Sequence, residues 1–149
     1  MTFRYATLND IDSVLKFIRL IPIREHRQKS VTVTKEELEK CLFLYHYAYV
    51  VLAEMKGEAV GYAFFYPVVD LHSFSTRMHI EDIFINAPLR RKGYGRKFMD
   101  YLANIARDSH WAGMEWNALD WNTEVFGFYN KIGAEKETGH IYFKLNVET

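Results

Sequence analysis

Cysteine is nearly missing from this sequence. Cys41 stands alone among 149 residues, so no internal disulfide forms and the chain suits a reducing compartment. Net charge is missing too. Nineteen Lys and Arg balance nineteen Asp and Glu, so no global field draws the chain to nucleic acid or membrane. No apolar run approaches the roughly 20 residues of a membrane-spanning helix. The opening MTFRYATLND lacks the apolar stretch of a secretion signal. Linkers, low-complexity segments and repeats are absent. A cytoplasmic protein with one domain over residues 1–149 is therefore expected. Its composition, 49% hydrophobic and 26% charged, is that of a globular chain able to bury a proper core.

Two familiar phosphate motifs are also missing. There is no GxxxxGK[ST], and no GxGxxG follows a first strand. His72, His79 and His140 lack metal-ligand spacing and read as structural or surface residues, so no metal is expected. Trp111, Trp116 and Trp121 read as core or cleft wall, and Met78, Met99 and Met114 as core filler.

Hydrophobic periodicity gives the elements. Residues 2–7 alternate as a strand. Asn9 is placed to cap a helix over 10–20, with Ile11, Val14, Leu15 and Ile18 on one face. Residues 22–33 read as irregular with one helical turn. Thr34 and Glu37 form a capping box, which predicts a helix over 35–44. Tyr47–Met55 and Glu58–Val69 flank Lys56-Gly57 as a β-hairpin. Residues 77–86 are a strand, and an amphipathic helix runs from Tyr94 to about Ser109. Ala112–Leu119 is a strand, and Asn122 starts a helix to about Lys131, which Gly133 ends. Two short strands, 134–138 and 140–147, close a mixed α/β order.

Against this neutral background, LRRKGYGRKF at 89–98 is conspicuous. It lies between a predicted strand and a helix N-terminus, where the first amides have no internal partner and carry the positive end of the dipole. Gly93 and Gly95 let backbone approach a bulky anion. Arg90, Arg91, Lys92, Arg96 and Lys97 add charge at the rim. Glu81, Asp82, Glu115, Asp120 and Glu124 are candidate balancing acids. The physics points to a phosphate-bearing ligand.

The spacing Arg90-x-x-Gly93-x-Gly95 after IEDIFIN resembles motif A of the GNAT superfamily of acyl-CoA-dependent N-acetyltransferases. LDWNTEVFGFYNKIGA, residues 119–134, resembles that family's second signature. The two blocks in order carry the resemblance over residues 78–145; the first 77 residues fit more loosely. "IEDIFI", "RRKGYG" and "LDWN…FYNKIGA" are most similar to the diamine (spermidine/spermine) and thialysine N-acetyltransferase branch.

The resemblance implies an α/β (α+β) fold: a mixed, mostly antiparallel sheet of six or seven strands with a V-shaped splay, flanked by about four helices. It implies acetyl-CoA as cosubstrate, with its pyrophosphate held around Arg90, Arg91, Lys92, Gly93, Tyr94, Gly95 and Arg96. Pantetheine is expected along Ile83, Phe84 and Ile85, as an added strand, with Asn122 and Phe128 as further cofactor contacts. Tyr129 matches the residue that protonates the coenzyme A sulfur. Glu81 matches the acid that removes the amine proton through water. Asp82 matches a carboxylate that binds a distal ammonium. Neighbouring residues of a regular strand face opposite ways, so bringing 81 and 82 to one cleft needs a bulge. A homodimer is implied as well.

Direct attack of a deprotonated amine on the thioester needs no cysteine nucleophile. A free alkylamine has a pKa of roughly 10.4, so it needs a base. The acceptor expected is a small primary amine: a diamine, a polyamine or a thialysine- or lysine-like compound. Segment 22–30, PIREHRQKS, is basic with Glu25 its only acid, and 70–77 has mixed character. That disfavours a long polycation. It suggests that Arg24 or Arg27 meets a substrate carboxylate, with Glu25 beside them. The alternatives are a protein lysine or N-terminal acetyltransferase, and a non-catalytic CoA-sensing module. Simpler readings keep Tyr129 and Phe128 as core packing, and Glu81 and Asp82 as salt-bridge partners of arginines. Nucleic-acid binding needs a wider basic face than this loop offers.

Overall fold

The fold is described from a computed structural model of the chain, covering residues 1–26 and 31–147. Two compact units divide it, Met1–Asn117 and Ala118–Thr149.

The first unit is built on a five-stranded sheet in the order β1-β2-β3-β4-β5. The strands are β1 (Thr2–Tyr5), β2 (Tyr49–Met55), β3 (Glu58–Asp70), β4 (Ser75–Ile85) and β5 (Gly113–Trp116). Neighbours are antiparallel except β4 and β5, which run parallel. Lys56-Gly57 closes the predicted hairpin, with Met55 opposite Glu58. A parallel pair needs a long crossover. Here it is α4 (Tyr94–Asp108), which buries Phe98, Met99, Leu102 and Ala106 at helical spacing. Phe98 stacks on Phe3 at 4.8 Å. Removing so buried a ring would cost about 3–5 kcal/mol.

The opposite face of the sheet is covered by α1 (Ile11–Ile18), the single turn α2 (Ile21–Arg24) and α3 (Lys35–Glu39), which continues as a π-helical turn over Lys40–Leu44. Ile11, Val14, Leu15 and Phe17 of α1 pack with Leu38, Leu42, Leu52 and Tyr62. The Thr34–Glu37 capping box is present. Asn9 is not the cap expected for α1. It lies within a 3-10 turn, Leu8–Asp10, which Thr7 and Asp10 close in a capping box of their own. The expected turn in 22–33 is α2. Met78 and Met99 are buried as expected.

The second unit contains α5 (Glu124–Lys131). Gly133 N–H bonds to Asn130 C=O and Ala134 N–H to Tyr129 C=O, so the predicted glycine stop holds as a Schellman turn. Asn122 does not cap the helix; Thr123 occupies that position. The expected strands at 134–138 and 140–147 are absent among the described residues, so the sheet has five strands rather than six or seven. Alternation alone does not make a strand; a ladder partner does. Ile141, Phe143, Leu145 and Val147 alternate with polar residues, yet each is at least 80% exposed.

The expected helix count is met by α1, α3, α4 and α5, each of about two turns or more counting the π-helical continuation of α3. No helix among the described residues is long and apolar enough to cross a membrane.

Candidate active site

Strand β4 organises the site. On one side it pairs with β5 only from Arg77–Gly113 to Ile80–Trp116. Beyond Ile80, β4 continues to Ile85 without β5 beside it. Two parallel strands therefore part company at Ile80, leaving the backbone of Glu81–Ile85 open on that side to an extended ligand. On the other side, β4 pairs with β3, and the register slips between Phe64–Asp82 and Phe65–Ile80. Glu81 is the extra residue of a β-bulge.

The bulge places two successive carboxylates on one face. Tyr62 and Tyr66 lie four residues apart on β3 and share a face. The Tyr62 hydroxyl donates to Asp82 in a short hydrogen bond, and the Tyr66 hydroxyl donates to Glu81 at 2.9 Å. The arrangement anticipated for a shared cleft is thus present. Burial and the Asp82 charge push the Tyr62 phenol far above its ordinary range, so it remains a proton donor.

Asp82 is fully engaged. Arg24 of α2 donates two hydrogen bonds to it, at 3.1 and 2.5 Å. The Arg24 guanidinium also lies 4.5 Å from the centre of the Phe84 ring, and Arg90 lies 5.1 Å from it. Arg24 Nε is buried with no hydrogen-bond partner. Glu25 follows at the end of α2. Arg27 and the rest of 27–30 lie outside the described residues. Glu81, by contrast, is exposed.

A further group, missed in the sequence, adjoins Glu81. His79 lies opposite Tyr66 on β3 and opposite Glu115 on β5. Its Nδ1 is 2.9 Å from Glu115 and its Nε2 is 3.5 Å from Glu81. Arg77 approaches the other Glu115 oxygen at 4.0 Å. Glu81, Asp82 and Glu115 are thus matched by groups of the sheet and α2, not by the cationic loop. The signal was available: Arg77, His79 and Glu81 are polar at alternate positions of a strand whose other face is apolar.

The glycine loop follows β4 directly. Gly93 caps α4 with φ of 83°, a left-handed conformation that side chains rarely adopt, and nothing lies within 4 Å of where its Cβ would be. Lys97 N–H bonds to Gly93 C=O, so the amides of Tyr94, Gly95 and Arg96 begin the helix without intrahelical acceptors. Exposed Arg91 and Lys92 flank them. Arg90 turns back to the Ile85 carbonyl at 2.8 Å. Arg96 reaches Asp100 at 3.3 Å, and Lys97 lies 5.8 Å from the Tyr94 ring centre. The amides and open Gly93 fit a diphosphate; the Ile85 carbonyl is already shared with Arg90.

The structure therefore brings Arg24, Glu81, Asp82, Phe84 and Arg90 together in the first unit. Asn122, Phe128 and Tyr129 lie in the second, where Phe128 and Tyr129 make a tilted ring pair at 5.8 Å. Among the described residues no group of three or more His, Cys, Asp or Glu could hold a metal ion.

A parting pair of parallel strands beside a glycine-opened helix N-terminus is the arrangement that the resemblance to the GNAT superfamily implies. The chain belongs to the Acetyltransferase (GNAT) family, whose sequence pattern matches residues 14–134. It is an acetyl-CoA-dependent N-acetyltransferase. The chain is similar to thialysine N-epsilon-acetyltransferase of Bos taurus, with 27% identity over 148 residues that cover 91% of this chain and 84% of that protein. It is 33% identical over 75 residues to L-ornithine N5-acetyltransferase NATA1 of Arabidopsis thaliana, covering 50% of this chain and 33% of that protein. Among solved structures, a possible acetyltransferase from Clostridium difficile 630 superposes with a TM-score of 0.83 at 16% identity, covering 99% of this chain and 98% of that one. That likeness is one of fold.

Proposed function

We propose that the enzyme acetylates the side-chain amine of a small amino acid, a lysine- or thialysine-like compound, in preference to a di- or polyamine. The observation that carries this reading is the Arg24–Asp82 pair. A polyamine acceptor needs a free carboxylate for its second ammonium. Asp82, the residue matched to that role, already accepts three hydrogen bonds from Arg24 and Tyr62. One exposed carboxylate, Glu81, remains for one amine. The Arg24–Asp82 pair occupies both terminal nitrogens of Arg24, so the preference rests on the missing site for a second ammonium and not on an Arg24 clamp of a substrate carboxylate. The bovine and Arabidopsis relatives are named for amino acids with side-chain amines, which agrees.

In this reading the amine loses a proton to Glu81 through water and attacks the thioester carbon directly. The carbonyl oxygen gathers charge, and the Ile83 amide donates to it. The carbon–sulfur bond breaks, and Tyr129 gives its phenolic proton to the departing thiolate. The amides of Gly93–Arg96 and the exposed Arg91 and Lys92 hold the pyrophosphate. Ile83, Phe84 and Ile85 line the pantetheine, with Asn122 and Phe128 as further contacts. A homodimer belongs to the same reading, with the exposed apolar residues Ile141–Val147 as surface to be covered.

The test is free-thiol release from acetyl-CoA with thialysine, lysine, putrescine, spermidine and a lysine peptide, run alongside Glu81→Gln and Tyr129→Phe. The reading expects turnover of the amino acids, with each variant lowering kcat by about 10²-fold, the low end for a general acid or base. Turnover of the peptide alone would instead assign a protein acetyltransferase. Wild-type rates in both variants would remove the assigned chemistry.

A further inference from the structure

We propose that His79 and Glu115 form the exit path for the amine proton taken up by Glu81. This inference rests on Glu81 being the base.

Three strands contribute to it. Tyr66 on β3, His79 on β4 and Glu115 on β5 lie directly opposite one another in register. Glu81, two residues beyond His79 on β4, falls on the same face by strand alternation, and the Tyr66 hydroxyl donates to it at 2.9 Å. The result is a bent row: Glu81 and the His79 ring along β4, then Glu115 across on β5. The ring faces a carboxylate at each nitrogen, at 3.5 Å from Nε2 and 2.9 Å from Nδ1. Only 13% of the His79 side chain is exposed, against 56% for Glu81 and 44% for Glu115. A sheltered imidazole thus joins two carboxylates that each meet solvent. The tilted Tyr66 ring, 5.2 Å away, holds the imidazole in place. The charged and titratable groups around the ring are Tyr66, Glu81, Glu115 and, behind Glu115, Arg77.

Glu81 needs such a path. Once a substrate and acetyl-CoA fill the cleft, bulk water no longer reaches it freely, and each turnover leaves it one proton. Imidazole accepts at one nitrogen and donates from the other. The proton moves from the Glu81 carboxyl to His79 Nε2. The Nδ1 proton passes to Glu115 and then to water. After the products leave, Nδ1 takes a proton back from water by way of Glu115, and the Nε2 proton leaves through Glu81, then open to solvent, which restores the starting tautomer. Over the cycle one proton leaves the amine and one net proton reaches solvent.

The path ends at the edge strand β5, at the last pairs before β4 and β5 part. Protons leave along the paired stretch of the two strands, while the ligand occupies the stretch where they have separated.

The test compares wild type, His79→Gln, Glu115→Gln and Glu81→Gln with thialysine across pH, together with a 15N NMR titration of the His79 ring in the free enzyme. His79→Gln is expected to lower kcat about tenfold, less than the ~10²-fold or more of a direct base, with the thialysine KM unchanged and the pH profile displaced. Glu115→Gln, at the sheet edge, is expected to lower kcat in the same direction and keep the fold. The NMR midpoint of His79 should move in both Glu81→Gln and Glu115→Gln. If Glu81→Gln is inactive but His79→Gln and Glu115→Gln keep the wild-type rate and pH profile, the exit path is overturned while the base stands. If Glu81→Gln is fully active, the base itself is wrong. A His79 midpoint that neither carboxylate variant moves overturns the path without reference to any acceptor.

Discussion

Arg24 and Asp82 are 58 residues apart in sequence and share two hydrogen bonds, at 3.1 and 2.5 Å. The contact joins a one-turn helix to the bulged strand. It turns a carboxylate on the face that Glu81 shares into half of a neutral pair.

Freeing that carboxylate should change the acceptor. In Arg24→Ala, Asp82 keeps only the Tyr62 hydroxyl and becomes available to a second ammonium. A hydrogen bond to a charged group is worth about 1.5–3 kcal/mol, so kcat/KM for putrescine or spermidine relative to thialysine should rise about tenfold or more. A ratio that stays constant would separate the pair from specificity.

The glycine loop makes a backbone prediction. Gly93→Val puts a side chain at a φ of 83°. The left-handed strain of about 1–2 kcal/mol should lower Tm by about 2–8 °C. Loss of the open approach should raise the acetyl-CoA KM on the order of tenfold, the equivalent of one charge-assisted bond. Calorimetry and thiol-release kinetics check the two parts separately.

Acid should weaken one corner of the sheet. Arg4 is forked between Asp10, at 2.7 and 2.9 Å, and Glu54, at 2.6 Å. The hydrogen bonds from Arg4 hold the Asp10 carboxyl down to about 2, below its ordinary 3.8. A depressed acid contributes stability fully above its unfolded value and loses it as pH falls through the folded one. The Tm advantage of wild type over Asp10→Asn should therefore persist at pH 5 and above, then shrink between pH 4 and pH 2. An advantage unchanged at pH 2 would contradict the assignment.

What the sequence disclosed followed the range of the forces involved. The Lys56-Gly57 hairpin, the Thr34–Glu37 box and the Gly133 stop are settled within a few residues, and each was readable. The glycine turn into α4 was readable for the same reason, since Gly93 and the start of α4 are consecutive. The Arg24–Asp82 pair and the His79–Glu115 contact were not. They depend on β3, β4 and β5 being in register, and a chain pattern does not state register between distant segments. His79 read as a structural or surface residue because its two carboxylates lie on different strands and in a bulge. The apolar alternation of 141–147 suggested a strand, but among the described residues it has no ladder partner.

The most direct test is the ratio of kcat/KM for thialysine to that for spermidine in the wild-type enzyme at saturating acetyl-CoA. With Asp82 held by Arg24 and Tyr62, the ratio should exceed one by about tenfold or more, the worth of one charge-assisted hydrogen bond. A ratio below one would mean that the second ammonium of a polyamine is well bound. The Arg24–Asp82 pair would then not set the acceptor.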